Sequence, residues 1–349
     1  MFESFNPFGR PPPRRTDDAV PKGEPSAHSA SPPPERAVQR PRLAVALGGG
    51  AARGFAHIGV MRALERHGIV PDIVAGTSMG AVVGGVWAAG KLDALDAWAR
   101  SLNKRNLLGL LDFVFGAPGL IGGRHLMNRM QAEIGHLTIE DLPVTFVTIA
   151  TELGTGHEVW LTYGDLAQAI HASYCLPGIF TPAKVGGRWL MDGALVNPIP
   201  VSAARALGGE VVIAVNLNAD TLGRGTVIQN HGEAMAVSQA AATEKKLSLG
   251  SLLRPDRVLR RQFLASGSDG PHGISTVMID AFNIIQDRIS RSRLAGDPPD
   301  VMISPKLRSI GLFDFHRAKD AIAAGEDAAE RMMAEVVDTL SAQSVPPRP

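Results

Sequence analysis

The stretch Ile73-Val74-Ala75-Gly76-Thr77-Ser78-Met79-Gly80 decides how this chain is read. Three apolar residues run into a glycine, and a serine stands between Gly76 and Gly80 before a second apolar run, Ala81 to Gly90. A serine at a sharp strand-to-helix turn has the nucleophile-elbow arrangement, in which a strained backbone exposes the hydroxyl. Small neighbours are needed because strand and helix cross closely there. The helix N-terminus below the serine also favours nearby negative charge. The pattern by itself is weak in a chain with 38 glycines, and a plain Gly-rich turn would also produce it. Its setting between a strand and a helix favours the chemical reading.

Upstream, Leu43 to Leu47 reads as a short buried strand followed by the turn Gly48-Gly49-Gly50-Ala51-Ala52-Arg53-Gly54. Ile58, Met61 and Leu64 then recur at helical spacing up to Gly68. Downstream, helices are expected at about 79–90 and 93–102. Strands without apolar–polar alternation, interleaved with helices, predict an α/β protein whose parallel sheet is covered on both faces. The same reading places helices at 123–135, 164–172, 200–207, 275–293 and 315–340. Strands are expected at 144–151, 157–161, 189–191, 211–217 and 300–304, with a hairpin turn at Val185-Gly186-Gly187-Arg188. Residues 1–41 carry 10 of the 25 prolines and read as a disordered tail. Residues 220–272 read as an irregular insertion in an ordered domain spanning 42–335, and 336–349 as a helix end and frayed tail.

Composition narrows the function. Thirty-five basic residues against 34 acidic ones leave a net charge of +1, which argues against a nucleic-acid partner. A single cysteine, Cys175, excludes an internal disulfide and a cysteine metal cluster. No run reaches the ~20 apolar residues of a membrane span, and the N-terminus has no signal-peptide core. The expectation is a cytoplasmic protein whose membrane contact, if any, is peripheral at the inner face. Lys245, Lys246, Arg254, Arg257, Arg260 and Arg261, interleaved with leucines, form the one segment suited to such contact. A solvated surface helix is the alternative reading.

The glycine turn at 48–54 can gather backbone N–H groups around an anion, either a pyrophosphate or a developing oxyanion. Neither Gly48 nor Gly49 starts the Gly-X-Gly-X-X-Gly spacing of dinucleotide sites, and no P-loop Lys-Ser/Thr follows. In a chain that also carries a serine elbow, an oxyanion hole is the better reading. Arg53 either braces this loop or draws an anionic headgroup. A third motif, Met191-Asp192-Gly193-Ala194, follows the expected hairpin strand. Asp-Gly usually marks only a turn, but a serine nucleophile needs a base and Asp192 is a candidate. A Ser–Asp–His triad would draw on His231, His272 or His316. None of these lies in a compelling loop, so a Ser–Asp dyad is preferred. His57 and His171 read as helix-packing residues.

Taken together and in this order, the three motifs resemble the patatin-like phospholipase family. Gly54-Phe55-Ala56-His57-Ile58-Gly59-Val60, Ala169-Ile170-His171-Ala172-Ser173 with Pro177, and Gly311-Leu312-Phe313 are similar to its bacterial branch related to neuropathy target esterase. The resemblance spans about residues 42–335. It implies a three-layer α/β/α sandwich with a mostly parallel central sheet and a lipid acyl-ester hydrolase of phospholipase A or lysophospholipase type. Ser78 would be the nucleophile, Asp192 the base, and amides near Gly49, Gly50 and Ala51 the oxyanion hole. Gly48, Arg53, Gly54, Gly76, Gly80 and Gly193 would support the motifs. Neither metal nor organic cofactor is implied. A general short-chain carboxylesterase and a catalytically idle lipid-binding regulator are the alternatives. Ala51 stands where many relatives have glycine, so a positive φ there would carry strain of ~1 kcal/mol. Ala194 replaces the second glycine of Asp-Gly-Gly. Oligomeric state is not legible from the residues.

Overall fold

The computed structural model describes residues 40–103, 124–220 and 274–343. The expected tail over most of 1–41, the insertion around 220–272 and the basic segment at 245–263 lie outside the described residues, as do His231 and His272. Among the described residues eight strands form one sheet: β1 (Leu43–Leu47), β2 (Ile73–Thr77), β3 (Thr145–Glu152), β4 (Glu158–Leu161), β5 (Ala183–Val185), β6 (Arg188–Asp192), β7 (Val211–Val215) and β8 (Val301–Ile303). The centre runs β3-β2-β1-β7-β8, with every neighbouring pair parallel. Antiparallel strands β4, β6 and β5 are added on the β3 side.

Both faces are covered. Leu43, Val45 and Leu47 point to one side, with Val74, Phe146 and Ile213, and meet the larger group of helices. These are α1 (Ala56–Arg66), α2 (Met79–Ala88), α3 (Leu92–Ser101), α4 (Arg124–Ile134), α5 (Leu166–Tyr174) and α8 (Ala318–Gln343). Ala44, Ala46, Ala75 and Ala214 point to the other side, under the short α6 (Val201–Ala206) and Leu294 of α7 (Ile274–Gly296). Burial on both sides explains why the central strands are continuously apolar rather than alternating. The α/β/α sandwich expected from the motifs is the architecture observed, and α8 runs on through Gln343.

One detail of pairing places the site. Along β3, Ile149 pairs with Thr77 of β2 on one edge and with Trp160 of β4 on the other. At Ala150 the β4 edge continues with Val159, while the edge that β2 has left is taken by Asp192 of β6. Strand β6 therefore arrives antiparallel where β2 ends, and its last residue occupies the position Ser78 would have filled had β2 continued.

Candidate active site

Ser78 sits between β2 and α2 with φ 55° and ψ −121°, a strained backbone for any residue with a Cβ. The packing around it enforces the turn. A methyl added at Gly76 would lie 2.6 Å from the Ala81 Cα, and one at Gly80 would overlap the Leu47 carbonyl. The Ser78 N–H donates to Ser173 Oγ at 2.9 Å, and that hydroxyl donates to the Ile149 carbonyl at 2.6 Å. The serine on α5 thus ties the elbow to β3. Only its place in the motif Ala169 to Ser173 hinted at a role, because no local spacing links Ser173 to Ser78.

Asp192 is reached by the strand exchange on β3. Its Oδ2 accepts the Ser78 Oγ–H at 2.7 Å, and its Oδ1 accepts the Ala194 N–H at 2.8 Å. Its backbone N–H donates to the Cys175 carbonyl, and its carbonyl accepts Thr151 Oγ1–H. Gly193 is required by contact, since a methyl there would run into the Ile149 carbonyl. Asp192 is only 2% exposed. Burial disfavours its charged form and pushes its pKa up to about 7, against the opposing effect of the Ala194 N–H and Ser78 hydroxyl bonds. A carboxylate that would be a poor base at its ordinary pKa is brought near neutrality.

The glycine loop lies beside this pair. A Cβ at Gly49 would be 3.5 Å from Ser78 Cβ and 3.3 Å from Ala194 Cβ. The Gly49 N–H is already spent on the Pro198 carbonyl at 2.9 Å, which leaves it unavailable to an oxyanion in this conformation. Among the described residues the Gly50 and Ala51 amides carry no hydrogen bond, and both residues line the cleft over Ser78. Ala51 has φ 47°, so the glycine-favouring backbone anticipated at that position is present. Gly48 packs against β7, where a methyl would meet the Val215 carbonyl at 2.9 Å, and a methyl on Gly54 would collide with Met79. Arg53 acts as a brace: Nε donates to the Ile310 carbonyl at 2.8 Å and Nη1 to Asn218 Oδ1 at 3.1 Å.

The described histidines lie outside the Ser78–Asp192 pair. His57 is fully buried in the first turn of α1 and donates Nε2–H to the Gly48 carbonyl at 2.7 Å; burial drives its pKa down to about 4, so it stays neutral. His171 stacks edge-on against Tyr174 at 5.2 Å. His316 lies in the 3₁₀ turn Phe315–Arg317 that leads into α8. Among the described residues no histidine lines the cleft around Ser78.

That cleft is open, with about 1170 Å³ of non-protein space including its mouth. Ser78, Asp192, Gly50 and Ala51 lie on one part of its lining, and the walls are almost wholly apolar, from α2, α3, Phe55, Phe180 and the segment Leu312 to Phe315. Phe55 packs edge-on against Trp98 and Phe315, with ring centroids 6.2 and 6.1 Å apart. The Ala52 N–H donates to the Leu312 carbonyl, which holds the closing segment against the loop. The site thus offers a hydroxyl hydrogen-bonded to a buried carboxylate, two amides unengaged among the described residues and an apolar chamber, which suits an acyl ester with an alkyl tail.

Comparison with known proteins places the chain in a family. Residues 45–205 match the family model of patatin-like phospholipase. An NTE family protein of Mycobacterium tuberculosis is 34% identical over 326 residues, covering 83% of this chain and 91% of that one. Neuropathy target esterase sws of Drosophila melanogaster is 29% identical over 217 residues, which are 60% of this chain and 15% of the much longer fly protein. Among solved structures, VipD from Legionella pneumophila is 13% identical with a TM-score of 0.42, covering 84% of this chain and 67% of that one. With its glycine loop, serine elbow and Asp-Gly turn brought together on one sheet, the chain belongs to the patatin-like phospholipase family, in the branch related to neuropathy target esterase, and is a lipid acyl hydrolase.

Proposed function

We propose that this protein hydrolyses lipid esters of the phospholipase A or lysophospholipase class through a Ser78–Asp192 dyad. The observation that carries the reading is the 2.7 Å bond from Ser78 Oγ to the buried Asp192 carboxylate, at an apolar cleft whose described lining has no histidine. Ser78 Oγ attacks the ester carbonyl while Asp192 takes its proton. The Gly50 and Ala51 amides receive the negative charge on the former carbonyl oxygen. The tetrahedral intermediate collapses, Asp192 returns the proton to the departing alcohol, and an acyl-serine remains. Water then gives its proton to Asp192 and attacks the acyl carbon. A second collapse releases the fatty acid, and Ser78 recovers its proton from Asp192.

Labelling with a fluorophosphonate, followed by a panel of phospholipids, lysophospholipids and p-nitrophenyl esters, tests this reading. Labelling of wild type but not of Ser78→Ala, with turnover of at least one lipid ester, is expected. No labelling of the folded wild-type protein would overturn the dyad. Turnover of short soluble esters alone would instead make the protein a general carboxylesterase.

A further inference from the structure

The cleft has a direction. Ser78, Met79, Val82 and Val86 line it from one side of α2, at the spacing that keeps residues on one helical face. Leu95 and Trp98 of α3 and Met130 of α4 also line it. From Ser78 to Val86 is eight residues, or ~12 Å along the axis at ~1.5 Å per residue. The lining changes character past that point. Lys91, just beyond α2 and with its N–H on the Val86 carbonyl at 3.0 Å, lines the cleft at that end, and Arg129 and Glu133 of α4 also belong to the lining. These are half-exposed or exposed groups, with Arg129 Nη2 and Glu133 Oε1 3.1 Å apart. They are the cationic and anionic members of the described lining apart from Asp192.

An alkyl chain gains only from the apolar part of such a track. With C–C bonds of ~1.5 Å in a zigzag, each carbon advances an extended chain by ~1.25 Å, so ~12 Å holds roughly ten carbons. A longer tail would push its end towards the exposed Lys91 and water, where further methylenes bury no more apolar surface. We propose that the face of α2 from Ser78 to Val86 is the acyl track and that it measures the substrate, selecting medium-chain acyl groups of about ten carbons, with Val86 and the charged Lys91 beyond it marking the end. This rests on the Ser78–Asp192 reading and adds to it the chain length of the substrate.

The test is a chain-length series of p-nitrophenyl esters from four to sixteen carbons, each assayed as monomer below its critical micelle concentration. In the wild-type enzyme kcat/KM should climb about fourfold per added methylene at first. The rise should break near ten carbons. Val86→Phe, which fills the track two helical turns from Ser78, should move the break to about six carbons, read as the ratio of decanoyl to butyryl kcat/KM falling by at least tenfold. Val86→Ala should move the break the other way and guards against a variant that fails to fold. A rise that continues to sixteen carbons, or a break that neither variant moves, would overturn the proposal. Absence of Ser78-dependent turnover at every chain length would instead overturn the dyad, so the two failures are distinguishable.

Discussion

Among the described residues, two that are not glycine hold a positive φ, and they face the same cleft: Ala51 at 47° in the loop and Ser78 at 55° in the elbow. They differ in what holds them there. Ser78 is locked from all sides. Gly76 and Gly80 let the β2 and α2 backbones close on it, its N–H is bonded to Ser173, and its side chain is bonded to Asp192. Ala51 is only half-buried, its N–H is free among the described residues, and its own conformation asks for a glycine. Strain at the elbow is over-determined by backbone packing and holds the Ser78 hydroxyl at the cleft. Strain at the loop comes from the choice of residue and can be relieved without disturbing what surrounds it.

The comparison can be broken or sharpened by substitution. The largest effect should come from Ser78→Ala, which removes the oxygen while leaving the packing intact. kcat/KM on a p-nitrophenyl ester should fall more than ~10⁴-fold with an unchanged circular dichroism spectrum. Next, Asp192→Asn should lower activity by ~10³-fold, since the base is gone. The wild-type kcat/KM should rise with pH through about 7 and level off above it, because only the ionised carboxylate accepts the Ser78 proton. The same substitution should stabilise the fold. A carboxyl raised from 3.8 to about 7 by burial contributes stability that is fully present below pH ~4 and lost as pH rises through 7. Asp192→Asn should therefore be more stable than wild type at pH 8, by on the order of 1–4 kcal/mol and with a higher melting temperature, and the two should converge near pH 4. A wild-type rate that stays flat from pH 5 to 9 would mean that Asp192 is not the group being titrated.

Gly80→Ala should come third. Its methyl has the Leu47 carbonyl in the way and no flexible side chain to displace, so a loss of about 3 kcal/mol or more is expected in urea unfolding. The smallest effect should be that of Ala51→Gly. Relief of the left-handed strain and the greater freedom of unfolded glycine largely offset each other, leaving a gain of up to ~1 kcal/mol. Fluorophosphonate labelling should persist in that variant. A marked loss of stability would mean that the Ala51 methyl has a packing role that the elbow comparison overlooks.

The local pattern was legible to a large extent. The elbow, the glycine loop and the order of strands and helices could all be read from apolar spacing and glycine placement, because those signals act over a few residues. The positive φ at Ala51 was legible too, from a departure in an otherwise glycine-rich loop. Other features were not. Gly49 was expected to serve the oxyanion, but a backbone bond to Pro198, nearly 150 positions away, leaves the unengaged amides at Gly50 and Ala51. Ser173 as the tie beneath the elbow, and His57 as the clamp on Gly48, also depend on partners distant in sequence or set by the fold.

The residues by themselves determined the chemistry on offer: a serine at a turn that only small neighbours permit, amides in a loop with little side chain to block them, and an aspartate held in a turn by the amide two residues on. Tertiary structure decided that these meet. Strand β6 takes over the edge of β3 where β2 stops, and so sets Asp192 within 2.7 Å of a hydroxyl 114 residues earlier. The same burial, which no local pattern encodes, lifts that carboxylate to where it can accept a proton at neutral pH.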